Sequence, residues 1–208
     1  MDKNPAKNNP RRVTRRAFIK GMGTGALGTA VLPDLLRAES VPTKKGPVSV
    51  VGQKTITLTV NGSRRTLPVA VNDTLLDVLR ERLELTGAKR VCDRGECGGC
   101  TVLLDGKPVY ACMTLAFRAD GKIVTTVEGL ARGDKLHPLQ ETFIENDGYQ
   151  CGFCTPGFLM TGAALLQKNP HPTPEEVKLA LSGNLCRCGN YARIFHAVSA
   201  AAKKMKGA

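Results

Sequence analysis

Eight cysteines in two groups constrain this 208-residue chain more than any other feature of its sequence. In the first group, Cys92, Cys97 and Cys100 have the spacing C-x4-C-x2-C, and Cys112 follows after a predicted strand, turn and strand. Several glycines lie among these cysteines, and glycine lets a backbone take positive φ angles and approach a bound group closely. The spacing therefore predicts a loop built around a metal centre.

The centre that this spacing favours is a [2Fe–2S] cluster, because C-x4-C-x2-C with a distant fourth cysteine is how plant-type ferredoxins hold one. Zinc is a weaker alternative, since zinc sites normally use paired C-x2-C elements and the gap between Cys92 and Cys97 is wider. Disulfides are the other alternative, because the number of cysteines is even and the N-terminal segment, described below, leads us to expect an exported protein. Cysteine is nevertheless much sparser than in disulfide-rich miniproteins, and the chain is long enough to bury an ordinary core.

The second cysteine group consists of Cys151 and Cys154, spaced C-x2-C, and of Cys186 and Cys188, spaced C-x-C. Each pair precedes a predicted helix. Helix N-termini present free N–H groups and partial positive charge, which suit an anionic cluster held between them. A disulfide within C-x-C would be badly strained. The pattern predicts a second [2Fe–2S] site, with zinc as the alternative for these two motifs taken alone.

The net charge of +12 is concentrated at the N-terminus. Residues 1–38 carry eight of the 30 basic and two of the 18 acidic side chains, which is half of the net charge. The remaining charges are interspersed, with no basic run among aromatic residues, so the composition disfavours nucleic-acid binding.

The N-terminal segment resembles a twin-arginine export signal. Arg15 and Arg16 precede an apolar run, residues 21–32, and small residues follow up to Ala38. The run is too short to span a bilayer comfortably. We expect residues 1–38 to be a signal peptide that directs the folded protein to the periplasm, with no membrane span in the mature chain. A retained membrane anchor is the alternative.

Beyond a flexible leader predicted at residues 39–53, the pattern is that of an α+β protein with two domains. Residues 54–128 predict a β-grasp, plant-type ferredoxin domain, with strands at residues 55–60, 65–71, 101–104, 107–111 and 123–127. The first hairpin is followed by a helix, capped by Asn72 or Asp73 and ended by Gly87. Residues 136–204 predict a small bundle of four helices, which start at Pro138, Thr155, Thr173 and Tyr191.

The chain resembles the iron–sulfur subunit of molybdenum hydroxylases, the xanthine oxidase and aldehyde oxidoreductase family. The resemblance covers residues 55–201, includes all eight cysteines, and is strongest in three motifs: residues 92–100, 150–157 and 183–189. The twin-arginine leader looks like that of periplasmic aldehyde oxidoreductases with three subunits. The resemblance supports the same α+β fold and assigns two [2Fe–2S] clusters to the cysteines.

The resemblance implies a role in electron transfer. In this family the helical-domain cluster lies beside the molybdenum cofactor of a large partner subunit, and the ferredoxin-like cluster lies towards FAD on another subunit or a cytochrome. Gln150 and Cys188 match the residues that contact the pterin. No catalytic residue is expected on this chain. Aldehydes are the expected substrate class; an N-heterocycle dehydrogenase of isoquinoline or nicotinate type and a free-standing ferredoxin shuttle are the alternatives.

Other residues near the second cysteine group have less certain roles. Arg187 could raise the potential of the helical-domain cluster or form an interfacial salt bridge. Three apolar residues are expected to pack the bundle, although some could face the large subunit: Phe153, Phe158 and Met160. The three histidines show no ligand spacing and are expected to be surface or packing residues: His137, His171 and His196.

Overall fold

The structure is a computed structural model that describes residues 52–206 and, in the N-terminal segment, Arg16 alone. Apart from Arg16, the predicted signal peptide lies outside the described residues, as does nearly all of the leader predicted at residues 39–53. Within the described part of the chain, no helix has the length and apolar character needed to cross a membrane.

Residues 52–206 contain one mixed sheet of five strands: β1 (Gln53–Val60), β2 (Ser63–Ala70), β3 (Thr101–Leu104), β4 (Lys107–Tyr110) and β5 (Ile123–Thr125). The strand order is β2-β1-β5-β3-β4, in which β1 and β5 are parallel and the other neighbours are antiparallel. Asn61 and Gly62, which connect β1 and β2, both have positive φ, 49° and 82°, as a type I′ turn requires. The predicted strands are confirmed to within two residues at each end.

The helix between the hairpins is shorter than predicted. Helix α1 (Leu75–Asp77) passes directly into a π-helical turn, Val78–Arg82. It ends well before Gly87, because Glu84 has a φ of 58° and a helix cannot continue through that left-handed backbone. The apolar side chains of these two turns are fully buried against the sheet and form the first core with residues of β1, β3 and β5.

Beyond residue 137 the described chain has the four predicted helices: α2 (Pro138–Glu145), α3 (Thr155–Lys168), α4 (Pro174–Ala180) and α5 (Tyr191–Lys206). They surround a second core built on large apolar side chains, among them Leu139, Phe143, Phe158 and Ile194. The two cysteine groups lie where loops of the sheet region meet the N-terminal ends of α3 and α5. The fold is therefore α+β, as the sequence predicts.

Candidate metal centres

Three cysteines of the first group, Cys92, Cys97 and Cys100, lie on the loop between the π-helical turn and β3. Gly95 and Gly98 have φ angles of 80° and 68°, which turn the backbone around the cysteine side chains. The Glu96 N–H donates a hydrogen bond to Sγ of Cys92 at 3.4 Å. The loop thus points backbone donors inwards, which suits thiolates carrying the negative charge of a cluster.

Two cysteines fasten this loop to the sheet core. Cys100 directly precedes β3 and is 3% exposed, and Cys112 is 6% exposed. Cys112 lies in a 3₁₀ turn, Ala111–Met113, just after β4. The site is therefore closed on its inner side by the core, and only Cys92 and Cys97 are partly exposed.

An ion-pair network supports the same loop from outside. Arg90 contacts Asp77 of α1 at 2.6 Å and Asp93 of the loop at 3.1 Å. Burial opposes ionisation of Asp77, but hydrogen bonds from Thr74 and Arg90 outweigh it and lower the pKa of the carboxyl. The network ties the beginning of the loop to the helix behind it.

The second cysteine group lies at two helix starts. Cys154 immediately precedes α3, and Cys188 lies three residues before α5. The Asn190 N–H donates to Sγ of Cys186 at 3.4 Å. Cys186 is buried, whereas Cys151 and Cys188 are exposed. This site therefore opens onto the surface of the chain.

The eight thiols stand in four pairs. Within each pair the two thiols are neighbours, and one shifts the pKa of the other: Cys92 with Cys97, Cys100 with Cys112, Cys151 with Cys188, and Cys154 with Cys186. No three His, Cys, Asp or Glu side chains in the described residues are close enough to hold one ion. A tetrahedral zinc site needs four ligands around one ion, with Zn–S of about 2.3 Å. Pairs of thiols instead fit a cluster in which each iron takes two cysteines and inorganic sulfide fills the other positions.

Each site combines a thiol that ionises readily with one that does not. Burial opposes ionisation of Cys92, but backbone N–H donors on its sulfur lower its pKa to about 7. The backbone N–H of Phe153 likewise lowers the pKa of Cys151. Burial raises the pKa of Cys100 and of Cys154 to about 12. A metal binds thiolates, so Cys100 and Cys154 would have to lose their protons when a cluster binds. The positive charge of bound iron would favour that loss.

The two sites share a direct backbone contact. The Leu185 N–H, next to Cys186, donates a hydrogen bond of 3.0 Å to the carbonyl oxygen of Cys97. Beside it lies a cavity of about 80 Å³, lined by cysteines of both sites together with Val91, Phe153 and Arg187. One hydrogen bond therefore connects Cys97 of the first group to Leu185, the neighbour of Cys186 in the second group.

Side chains reinforce this contact. The Tyr110 hydroxyl donates to the carbonyl oxygen of Gly183 at 3.0 Å. The Asn184 side chain donates from Nδ2 to the carbonyl oxygen of Gly98 at 3.1 Å. Both bonds join the loop before Cys186 to the sheet region, so the two sites belong to one connected structure.

Comparison with known families matches these two regions separately. Residues 58–126 match the 2Fe-2S iron–sulfur cluster binding domain, and residues 126–199 match the [2Fe-2S] binding domain. The chain is also 41% identical over 209 residues to the aldehyde oxidoreductase iron–sulfur-binding subunit PaoA of Escherichia coli K12, with 93% of this chain and 90% of PaoA covered. The chain belongs to the iron–sulfur subunits of the molybdenum hydroxylases. Like its relatives, it is an electron-transfer subunit of an oxidoreductase that holds [2Fe–2S] clusters.

Other members of this family act on different compounds. The small subunit of nicotine 6-hydroxylase from Paenarthrobacter nicotinovorans is 53% identical over 143 residues, covering 69% of this chain and 86% of that subunit. Among solved structures, quinoline 2-oxidoreductase from Pseudomonas putida 86 matches with a TM-score of 0.71 and 44% identity, over 74% of this chain and 97% of that one. Aldehyde oxidoreductase from Desulfovibrio desulfuricans matches with a TM-score of 0.72 and 47% identity, over 74% of this chain but 17% of the other.

The two residues predicted to contact the pterin, Gln150 and Cys188, are both exposed in this iron–sulfur subunit. Gln150 is exposed beside Cys151, and its only described side-chain hydrogen bond is a long one of 3.5 Å to Asn190. Cys188 is exposed as well. Arg187 is exposed at the cavity between the sites, and no salt bridge of Arg187 occurs among the described residues.

Burial separates the three apolar residues near Cys154. Phe158 and Met160 are fully buried, Phe158 within the second core, whereas Phe153 is 52% exposed. Of the histidines, His137 has a structural role: its Nδ1 accepts a hydrogen bond from the Leu139 N–H at the start of α2. Sequence reasoning missed the side chains that join the sites, although Asn184 lies inside one of the motifs that carry the family resemblance.

Proposed function

We propose that this chain carries electrons in series through two [2Fe–2S] clusters. The first would be held by Cys92, Cys97, Cys100 and Cys112, and the second by Cys151, Cys154, Cys186 and Cys188. Bound there, the clusters would accept and release electrons singly. The observation that supports this proposal is the hydrogen bond from Leu185 to Cys97, because it gives electrons a short path between the two ligand loops.

The proposed direction follows from exposure. Cys151 and Cys188 are exposed, so the helical-domain site can lie close to a redox group of another subunit. We place the molybdenum cofactor of a large subunit there, with Gln150 and Cys188 against its pterin. Electrons would then leave from the ferredoxin-like site to FAD on a further subunit or to a cytochrome. This chain spans 17% of the length of the matched Desulfovibrio aldehyde oxidoreductase, which supports a large partner that performs the substrate chemistry.

Two matched variants test the direction. Cys92→Ala removes one of the more exposed cysteines of the ferredoxin-like site. Cys151→Ala removes one of the more exposed cysteines of the helical-domain site. In the purified assembly reduced anaerobically by substrate, Cys151→Ala should block reduction of the ferredoxin-like cluster. Cys92→Ala should leave reduction of the helical-domain cluster intact. EPR measures the reduction of each cluster, and the opposite pattern would reverse the proposed order. A wild-type assembly in which substrate reduces neither cluster would refute electron transfer through the two clusters.

Aldehydes are the proposed substrates, because PaoA, which covers 93% of this chain, is an aldehyde oxidoreductase subunit. Oxidation of an aldehyde with oxygen from water gives a carboxylic acid, two protons and two electrons. The protons would go to solvent, and the clusters would carry the two electrons away one at a time. N-heterocycles are the second candidate, since nicotinate dehydrogenase and nicotine 6-hydroxylase subunits are also relatives. Titration of the anaerobic assembly with benzaldehyde, nicotinate and quinoline distinguishes these candidates by which compound bleaches the cluster absorption.

We further propose that residues 1–38 direct twin-arginine export to the periplasm, and that the mature chain consists of domains at residues 54–128 and 136–204. Export of folded protein is required because the clusters are inserted before translocation. Replacing Arg15 and Arg16 with lysine should retain the protein in the cytoplasm. The same replacement of Arg11 and Arg12 is a matched control. Equal periplasmic yields from both double variants, measured by cell fractionation, would contradict the assignment.

A further inference from the structure

Asn184 is the most enclosed polar link between the two cysteine loops. It is 2% exposed and lies two residues before Cys186. Its Nδ2 donates to the carbonyl oxygen of Gly98, and its Oδ1 accepts from the Thr161 hydroxyl of α3 at 2.9 Å. Its backbone N–H donates to the carbonyl oxygen of Leu181 at 3.0 Å. One side chain thus joins the first cysteine loop, helix α3 and the second cysteine loop.

The hydrogen bonds of this side chain allow one orientation only. The Gly98 carbonyl can only accept, so the amide nitrogen of Asn184 must face it. The amide oxygen then faces Thr161, whose hydroxyl can donate. Because the side chain is buried, losing these partners would leave polar groups unpaired in the interior.

The segments around Asn184 pack closely at three glycines. A Cβ at Gly98 would lie 2.5 Å from Nδ2 of Asn184, and one at Gly157 would collide with the Gly98 carbonyl oxygen. A Cβ at Gly183 would collide with the Tyr110 hydroxyl. Because these positions leave no room for an added side chain, the hydrogen bonds of Asn184 and Tyr110 determine how the two loops are aligned.

We infer that Asn184 is a positioning residue for electron transfer between the two clusters. It holds the loop before Cys186 in the register that lets the Leu185 N–H reach the Cys97 carbonyl oxygen. The Asn184 bond to Gly98 and the Leu185 bond to Cys97 join adjacent residues on both loops, so each supports the other. This inference rests on the proposed function, because it concerns the path between the two proposed clusters.

The test replaces Asn184 with leucine, which has a similar branched shape but makes no hydrogen bond. Asn146→Leu is the matched control, because Asn146 Nδ2 also donates to a backbone carbonyl, that of Thr142 at 2.8 Å, but within α2 and its C-terminal cap. Both variants are prepared as the complete assembly. Two quantities are measured: the EPR splitting from magnetic interaction between the two reduced clusters, and hydrogen exchange of the peptide containing the Leu185 amide.

Asn184→Leu should retain both clusters, reduce the splitting, and speed exchange at Leu185 by about tenfold, as expected for loss of a buried hydrogen bond. Asn146→Leu should leave both quantities at wild-type values. A folded Asn184→Leu assembly with unchanged splitting and exchange would overturn the inference.

If Asn184→Leu fails to assemble, Thr161→Val decides, because it removes only the hydroxyl that holds Oδ1. Faster Leu185 exchange together with a smaller splitting would then support the inference, and wild-type values of both would overturn it.

The wild-type spectrum separates this result from failure of the proposed function. Two interacting signals there confirm the two clusters, whatever the variants show, whereas a single signal refutes the proposed function itself.

Discussion

The two cysteine sites have the same number of thiols but are built by different parts of the fold. In the ferredoxin-like site, Cys100 and Cys112 are anchored in the sheet core, and a glycine-bearing loop surrounds the rest. In the helical-domain site, helix starts supply the thiols, and Cys151 and Cys188 are exposed. The comparison shows that the core of the sheet region encloses one side of the first site. The other site opens onto the surface of the chain.

The contact between the sites gives the largest predicted effect. Gly157→Ala should destabilise the chain by about 3 kcal/mol, because its Cβ would collide with the Gly98 carbonyl oxygen and neither backbone can yield easily. The control is Gly162→Ala in the same helix, where the new Cβ meets the flexible end of Leu139 at 3.1 Å. Thermal unfolding of the cluster-loaded assembly measures both variants. Equal losses would mean that α3 does not pack tightly on the first loop.

Tyr110→Phe tests the sheet side of the same contact. The variant retains the ring but loses the hydrogen bond to the Gly183 carbonyl, which is expected to cost about 1 kcal/mol. Since the lost bond joins the two sites, hydrogen exchange should rise in the peptide spanning residues 183–185. Thr114→Val, which removes a hydroxyl bonded to the Tyr110 carbonyl at 3.0 Å, serves as the control. Faster exchange at residues 183–185 in the control alone would contradict the prediction.

A smaller effect should distinguish the ion pairs beside the first site from the ion pair beside the second. Arg90→Gln removes the ion pairs behind the first loop and should cost about 1 kcal/mol at low salt and less at high ionic strength. Cluster loss on heating, followed by absorbance and EPR, should accelerate at the ferredoxin-like site. Arg193→Gln, which removes a more exposed pair with Asp147 near the other site, should change little. If Arg90→Gln instead accelerates loss of the helical-domain cluster first, the network does not support the first loop.

The smallest predicted effect is a pH dependence confined to the helical region. Burial and the charge of Arg132 lower the pKa of His137 below its ordinary 6.5. The folded state therefore favours the neutral ring, whose Nδ1 caps α2. This stabilisation is complete above pH 6.5 and is lost as the pH falls through the lower folded pKa.

The measurement is the unfolding temperature at pH 7.5 and 5.5 in wild type and in His137→Asn, since asparagine can cap the helix without titrating. The wild type should lose more stability between these two pH values than the variant does. An identical loss would show that His137 does not contribute to the acid response.

Local patterns in the sequence predicted most of the fold. Alternating apolar residues and the Asn61-Gly62 turn gave the first hairpin, and Thr173 before Pro174 gave the start of α4. The cap of α1 was predicted wrongly as Asn72 or Asp73. Thr74 forms it, because its side chain and that of Asp77 bond reciprocally. Asp73 instead accepts from the Ala70 N–H at 2.7 Å and so closes the preceding turn.

Cysteine spacing predicted the two candidate sites, because ligands close in sequence must converge on one centre. The contact between the sites could not be predicted in the same way. Asn184 and Gly98 are 86 positions apart, and Tyr110 and Gly183 are 73 apart. No local periodicity encodes such pairs, since they depend on how the helical region packs against the sheet region.

We propose that this chain holds two [2Fe–2S] clusters in series. EPR of the intact, fully reduced assembly, with iron and sulfide analysis of the same sample, tests it most directly. We predict two distinct signals of about one spin each per chain, with about four iron and four sulfide. A single iron signal, with the other four thiols oxidised to disulfides or bound to zinc, would contradict the claim.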